Sequence, residues 1–313
     1  MSQAAFVTSQ RLCHNIERVV LGKPDVVQMM SVALLASEHI LLEDVPGVGK
    51  TLVAKALAMS IDGKFTRLQF TPDLLPSDIT GSLVYRSDSR DFEFRPGPIF
   101  ANVVLADEIN RAPPRTQSAL LEAMSEGQVS IDGTTYPLPK PFMVVATQNP
   151  FEYEGTYPLP ESQLDRFLLR MSLGYPDRAI ERQVLATHRV GEPVDDLQSV
   201  VSGEDILSAQ HSARDVRFEP SLVDYLLDIV DATRHHENFD VGVSTRGALS
   251  FYRGCQARAI SQQRDFVTPD DVKSLAIATL AHRVLPKSMY QGAGRREVEA
   301  ELQQILDRVP VPI

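Results

Sequence analysis

The 313-residue sequence contains no tryptophan and only two cysteines, Cys13 and Cys255. They lie far apart with no CxxC spacing, which argues against a disulfide framework or a structural zinc site and fits a reducing compartment. Basic residues are in the minority: 31 Lys and Arg stand against 41 Asp and Glu, a net charge of −10. A chain of that sign has no bulk grip on nucleic acid or anionic lipid, although a local basic strip lining a pore would not show in the total. Apolar runs stay well below the roughly 20 residues of a membrane helix, so no membrane insertion is expected. Residues 1–20, MSQAAFVTSQRLCHNIERVV, have no basic stretch leading into an apolar core and do not read as a secretory signal. The expectation is a cytoplasmic protein. At 43% apolar residues the chain can bury one large core or two ordinary ones.

Up to about residue 175, short apolar runs alternate with helical patterns, as in a parallel sheet covered on both faces. The expected strands are HILLE (39–43), FTRLQF (65–70), NVVLA (102–106), FMVVAT (142–147) and FLLRMSL (167–173). Two inserts interrupt them. Residues 81–97 alternate apolar and polar residues about a polar tip at 87–90, and 128–139 carry the hairpin turn signal Asp132-Gly133. From about 176 strand signals disappear and helical patterns follow one another, including DRAIERQVLATHR (177–189) and EPSLVDYLLDIVDATR (219–234). A further helix opens with Thr268 as N-cap, Pro269 at the first helical position and Asp271 three residues past the cap. A last amphipathic segment sets Val298, Leu302, Ile305 and Leu306 on one face. The expected architecture is an α/β domain over 1–175, with a parallel five-stranded sheet between helices, followed by an all-α domain over 176–313.

The strand HILLE runs into DVPGVGKT (44–51), and the helical pattern LVAKALA follows at once. Strand, glycine-bearing loop and helix in that order are what a phosphate-binding loop requires. Pro46, Gly47, Val48 and Gly49 form a loop whose N–H groups can turn toward phosphate oxygens, while the helix end adds partial positive charge. Lys50 would reach the β- and γ-phosphates of ATP, the Thr51 hydroxyl would bind Mg²⁺, and Leu52 continues the loop into the helix. The general pattern GxxxxGK[ST] has glycine where this chain has Asp44, a residue that tolerates turn conformations better than most. NVVLADE (102–108) ends in adjacent carboxylates: Asp107 is placed to organise Mg²⁺ and Glu108 to take a proton from the attacking water. FMVVAT runs into Gln148-Asn149-Pro150, where the Asn149 amide could meet the γ-phosphate or the water.

These residues carry a resemblance. PGVGKT, ADEINRAPPRTQSALLEAMSEGQVSIDG, ATQNPFEYEGTYPLPESQLDRFLLR and VSTRGALSF look like the MoxR family of AAA+ ATPases, over residues 15 to about 285. The resemblance implies that Lys50 and Thr51 are Walker A, Asp107 and Glu108 Walker B, and Asn149 sensor 1. It implies that Arg166 in PESQLDRF is the arginine finger and that Arg246 in STRG is sensor 2, reaching the γ-phosphate from the helical lid. Val20, Leu21 and Gly22 would lie beside the adenine, and the two hairpins would be the helix-2 insert and the hairpin before sensor 1. Such proteins form rings, usually hexamers. They act as chaperone-like machines on a protein client and commonly partner a protein with a von Willebrand factor A domain bearing a metal-dependent adhesion site.

Other features are left without a functional role. His235 and His236 are adjacent, about 100° apart on a helix, and chelate poorly together. Cys255 falls in an apolar helical pattern and is expected in the core. Arg111 and Arg115 lie where a subunit interface could use them, with surface salt bridges the equal alternative, whereas Arg170 falls inside a strand and should point away from the site. Two other functions stay open. One is a magnesium-chelatase-like motor or a nucleic-acid translocase, the latter disfavoured by the charge of −10. The other is a non-hydrolysing, nucleotide-dependent adaptor, which would have no need of Lys50, Glu108, Asn149 and Arg166 together.

Overall fold

The structure, a computed structural model, describes residues 2–88, 90–150, 155–187, 191–287 and 295–312. Ser89 in the expected hairpin tip, residues 151–154 of the long motif and the end of the helix expected over 177–189 lie outside the described residues.

Two helices, α1 (Ser2–Glu17) and α2 (Pro24–Leu35), precede β1 (Ile40–Glu43). The glycine loop leads into α3 (Lys50–Met59), then β2 (Ile61–Asp62) and β3 (Phe65–Gln69). The first insert comprises α4 (Pro76–Thr80) and the hairpin β4 (Gly81–Arg86) and β5 (Asp91–Pro96). β6 (Val103–Asp107) and α5 (Pro114–Glu126) lead to the second hairpin, β7 (Gln128–Ile131) and β8 (Thr134–Pro137). β9 (Met143–Gln148), α6 (Glu161–Leu164) and β10 (Leu169–Met171) complete the sheet, and α7 (Arg178–Thr187) leaves it. Beyond it come β11 (Val201–Ser202), α8 (Gly203–Arg214), α9 (Pro220–Arg234), β12 (Phe239–Val241), α10 (Thr245–Ser261), α11 (Pro269–Leu280), β13 (Leu285–Pro286) and α12 (Arg295–Arg308).

The five-stranded sheet is parallel, in the order β10-β1-β9-β6-β3. The inner strands β1, β9 and β6 read as apolar runs because helices cover both faces, and β6 is buried at every residue, whereas the edge strand β3 alternates. The register sets Glu43 opposite Gln148 and Gln69 opposite Asp107, so the polar strand ends gather along one edge. That edge is where ligands bind in open α/β sheets. Both expected hairpins form, and Asp132 (φ +48°) and Gly133 (φ +77°) take the left-handed values a two-residue turn requires.

Three features of the helical half depart from the expectation. Strands do recur after residue 176: β11 pairs with β2, and β12 with β13. Segments of two or three residues are too short for any periodicity to reveal. α8 was not expected, although Ser202 and Asp205 form a reciprocal capping box that marks its start. Helices α1 and α2 pack against α8 and α10, with Ala5, Leu12, Ile16, Met30 and Leu34 in one apolar cluster with Ile206, Ala209, Phe251 and Cys255. Gln210 Nε2 donates to Leu34 O at 2.7 Å, and Asn15 Nδ2 to Gln198 O at 3.0 Å, across the same junction.

The cap of α11 forms as expected and carries more than a helix end. Asp271, 2% exposed, accepts from the Thr268 N–H at 2.8 Å and from both terminal nitrogens of Arg264 at 2.7 and 2.6 Å. Asp271→Ala removes the cap and strands a partly buried guanidinium, so it should cost about 2–4 kcal/mol. Urea denaturation should show a lower midpoint with an unchanged slope.

Candidate functional site

At the end of β1 the chain must reverse into α3 around a loop with its amides turned inward. Gly47 (φ +82°) and Gly49 (φ +95°) supply the left-handed conformations, and Gly49 caps α3. An added Cβ would meet nothing within 4 Å at either position, so backbone conformation rather than space demands glycine there. Lys50 opens the helix, and its Nζ donates to Asp44 O at 2.5 Å and to Gln148 O at 3.2 Å. The ammonium is thereby held over the ends of β1 and β9.

Asp44 accounts for its own departure from the glycine pattern. Oδ1 accepts from the Val45 N–H at 2.9 Å, and Oδ2 accepts from the Ser172 hydroxyl at 2.8 Å and the Gly174 N–H at 2.6 Å. Burial pushes this carboxyl upward, but the hydrogen bonds from Gly174, Ser172 and Val45 outweigh it and hold the pKa below the ordinary carboxylate value. The residue works as an acceptor that joins the loop to the exit of β10.

At the next strand ends Thr147 acts as a hub. Its hydroxyl donates to Asp107 Oδ1 at 2.6 Å and accepts from the Glu108 N–H at 2.9 Å. Arg67 holds the other Asp107 oxygen, with Nε at 3.1 Å and Nη2 at 2.6 Å. Glu108 sits at φ +58°, unusual for a non-glycine residue, and its Oε2 accepts from Gln69 Nε2 at 2.9 Å with Arg111 Nη1 3.4 Å away. A left-handed residue costs on the order of 1 kcal/mol, a strain characteristic of functional positions. Asn149 is buried, and its carbonyl accepts from Asn110 Nδ2 at 3.4 Å. Arg67, Gln69 and Thr147 were missed in the sequence. The alternation in FTRLQF does place Arg67 and Gln69 on one face, but their partner is fixed by strand order, which a sequence does not print.

A cleft of about 490 Å³ opens beside the loop. Gly47, Val48, Gly49, Thr51 and Leu52 line one side, and Val20 and Leu21 with Tyr175, Val184 and Leu185 the other. Gly22 (φ +71°) turns the chain tightly there, where a Cβ would come within 2.8 Å of Ile180 Cγ1. A larger cleft of about 570 Å³ lies between α1 and the end of α10, but no residue of the strand ends lines it. Asp107 and Thr51 offer hard oxygen donors, a set that suits Mg²⁺ when phosphate oxygens and water complete its shell. Among the described residues no three His, Cys, Asp or Glu cluster as a protein-only metal site would require.

The two expected arginines lie elsewhere, and together. Arg166 Nη1 donates to Leu121 O at 2.6 Å and to the Ser125 hydroxyl, while its buried Nε has no hydrogen-bond partner. Burial, and then the positive charge of Arg246, lower its pKa. Both arginines line a cleft of about 210 Å³ with Asp165 and Arg253. Arg246 thus lies on the lid as expected of its segment but does not line its own chain's P-loop cleft. The segment carrying Arg166 is fixed to the lid. Arg283, 5% exposed, pairs with Asp165 at 2.9 Å and donates to Phe167 O at 2.7 Å, and the Ser244 hydroxyl donates to Asp165 Oδ2 at 2.9 Å. Arg170 faces Glu43 at 3.7 Å.

Residues 39–169 match the family model for the ATPase family associated with various cellular activities, and 231–305 match that of the AAA lid domain. The chain is 49% identical over 301 residues to the uncharacterized protein YeaC of Bacillus subtilis, covering 96% of this chain and 93% of that one. It is 42% identical over 316 residues to chaperone MoxR1 of Mycobacterium tuberculosis, covering 97% and 82%. A crystal structure of a Cytophaga hutchinsonii protein assigned as an ATPase superposes with a TM-score of 0.90 at 38% identity, covering 100% of this chain and 97% of that one.

Proposed function

The chain belongs to the MoxR family of AAA+ ATPases, and on that premise we propose that it hydrolyses ATP at the subunit interfaces of a ring and spends the energy on chaperone-like assembly, activation or maturation of a protein client. The observation that carries the reading is the strand-end edge. Lys50 is held between the carbonyls of Asp44 and Gln148, while Thr147 holds Asp107 and Glu108 one strand further along. In the proposed reaction the 47–49 amides and Lys50 bind the β- and γ-phosphates. Glu108 takes a proton from water as the water oxygen attacks the γ-phosphorus and the β–γ bridge breaks, leaving ADP and phosphate. Thr51 and Asp107 would hold Mg²⁺, which neutralises charge on the β- and γ-oxygens. Asn149 would align the water, and Arg166, with Arg246 beside it, would come from the neighbouring subunit. Val20, Leu21 and Gly22 would border the base.

A hexameric ring, a von Willebrand factor A domain partner, a cytoplasmic place and the division of the chain at residue 175 belong to the same proposal. No helix among the described residues is long and apolar enough to cross a membrane. The test is turnover: purified protein with ATP and Mg²⁺ should release inorganic phosphate. Binding of ATP without release would leave a nucleotide-switched adaptor in its place. Client handling has its own support in the first insert, where Tyr85 (55% exposed) and Phe92 (62%) stack edge to face at 5.4 Å on the exposed surface of the hairpin. Changing both to Ser should leave the melting temperature and basal turnover close to wild type and abolish client activation. A large fall in melting temperature would make the pair structural instead.

A further inference from the structure

The segment 172–176, between β10 and α7, is tied at two points to the walls of the P-loop cleft. Asp44 holds it from the loop side through Ser172 and Gly174. Lys23, just past the turn at Gly22, holds it from the other side by donating Nζ to Tyr175 O at 3.1 Å. Gly174, itself tied to Asp44, takes a left-handed conformation (φ +61°), and the next residue, Tyr175, lines the cleft with 75% of its surface exposed. Leu185, 74% exposed, lines the same mouth. Two large apolar side chains open to water at the rim of one cleft, Tyr175 on a strap anchored to the phosphate loop and Leu185 on α7, form a surface suited to a flat apolar ligand face.

Resting on the ATP reading of this cleft, we propose that Tyr175 covers the purine base of the bound nucleotide and that Asp44 is a positioning residue, fixing the strap that carries Tyr175 relative to the phosphate loop. Phosphate and base are then read by two elements whose spacing one carboxylate sets. Glycine at position 44 would let the loop turn as well as aspartate does, but it would release the strap. Restoring the glycine of the general motif should therefore weaken nucleotide binding.

The test compares ATP with inorganic tripolyphosphate, which carries the charge without the base. Tyr175→Ala should weaken ATP binding about tenfold, in line with aromatic stacking on a base. Tripolyphosphate binding should change less than about twofold on the same grounds, and Tyr175→Phe should bind ATP as the wild type does. Asp44→Gly should lower the preference for ATP over tripolyphosphate and raise KM for ATP more than it lowers kcat. Ser172→Ala, which removes one tie and leaves the loop sequence intact, should act in the same direction if Asp44→Gly does not fold. Unchanged ATP affinity in Tyr175→Ala, or equal loss of both ligands in the Asp44 and Ser172 variants, would overturn the strap while leaving the ATP site standing. Wild-type protein that binds neither ligand would overturn the site and the strap together.

Discussion

Arg166→Ala is expected to bind ATP almost as the wild type does and to hydrolyse it slower by about 10³-fold or more, the range measured for arginine fingers, which corresponds to about 4–7 kcal/mol of transition-state stabilisation. Arg166 is half satisfied within its own chain: Leu121 O and Ser125 hold Nη1, the buried Nε has no partner, and Arg246 stands close enough to lower its pKa. Paired cations with a spare donor favour an anion, and a guanidinium fork suits phosphate. Both arginines line a cleft separate from the P-loop cleft, so the phosphate they meet would belong to a neighbouring copy. Mixing tests this directly. Arg166→Ala and Glu108→Gln subunits should each be inactive, and mixed rings should recover activity where an intact Glu108 meets an intact Arg166. Silence from rings shown to be mixed, or wild-type turnover by Arg166→Ala, would pass the role to Arg111 or Arg115.

Lys50→Ala and Glu108→Gln should fail in different ways. Removing Lys50 takes away the charge held over the ends of β1 and β9 and leaves the Asp44 and Gln148 carbonyls without that donor. Charge-assisted hydrogen bonds contribute about 1.5–3 kcal/mol each, so ATP affinity should fall by about a hundredfold or more. Glutamine at 108 keeps the size of the side chain and an oxygen for Gln69 but cannot take a proton. Turnover should drop by about 10²–10⁴ while ATP stays bound. Equilibrium binding measured beside single-turnover hydrolysis separates the two, and an equal loss of affinity in both variants would refute the division of labour. The ATP-holding Glu108→Gln form is also the one to use for capturing a client.

The sheet was legible because its inner strands are short apolar runs closed by polar residues, which parallel burial makes continuous, and the edge strand β3 shows as an alternation. The P-loop, the Asp107-Glu108 pair and both hairpins were legible because their signals are local. Less local features were not. That Arg67 grips Asp107 depends on β3 lying beside β6, and that Thr147 bonds the Asp107 carboxylate and the Glu108 N–H depends on β9 lying on the other side. Asp44 could be seen as an irregularity, but its partners, Ser172 and Gly174, lie about 130 residues on. Arg246 was recognisable as a lid residue, yet its place beside Arg166 follows from Ser244 and Arg283 both binding Asp165, contacts between distant segments.

The packing of α1 and α2 against α8 and α10 bears on how the chain is made. A ribosome releases Leu12, Ile16, Met30 and Leu34 first, whereas the partners that bury them, Ile206, Ala209 and Phe251, are added after most of the message has been read. Gln210, which closes the junction on Leu34 O, lies 176 residues later. At about 5–20 residues per second the two helices wait on the order of ten seconds or more before α8 and α10 arrive to cover the part of their apolar surface that α3 and their own mutual packing leave open. Folding of the nascent chain is therefore completed from its end. A premature stop before α8 would remove more than a lid: it would strip the first helices of Ile206, Ala209 and Phe251, leaving a species fit for holdase capture or degradation.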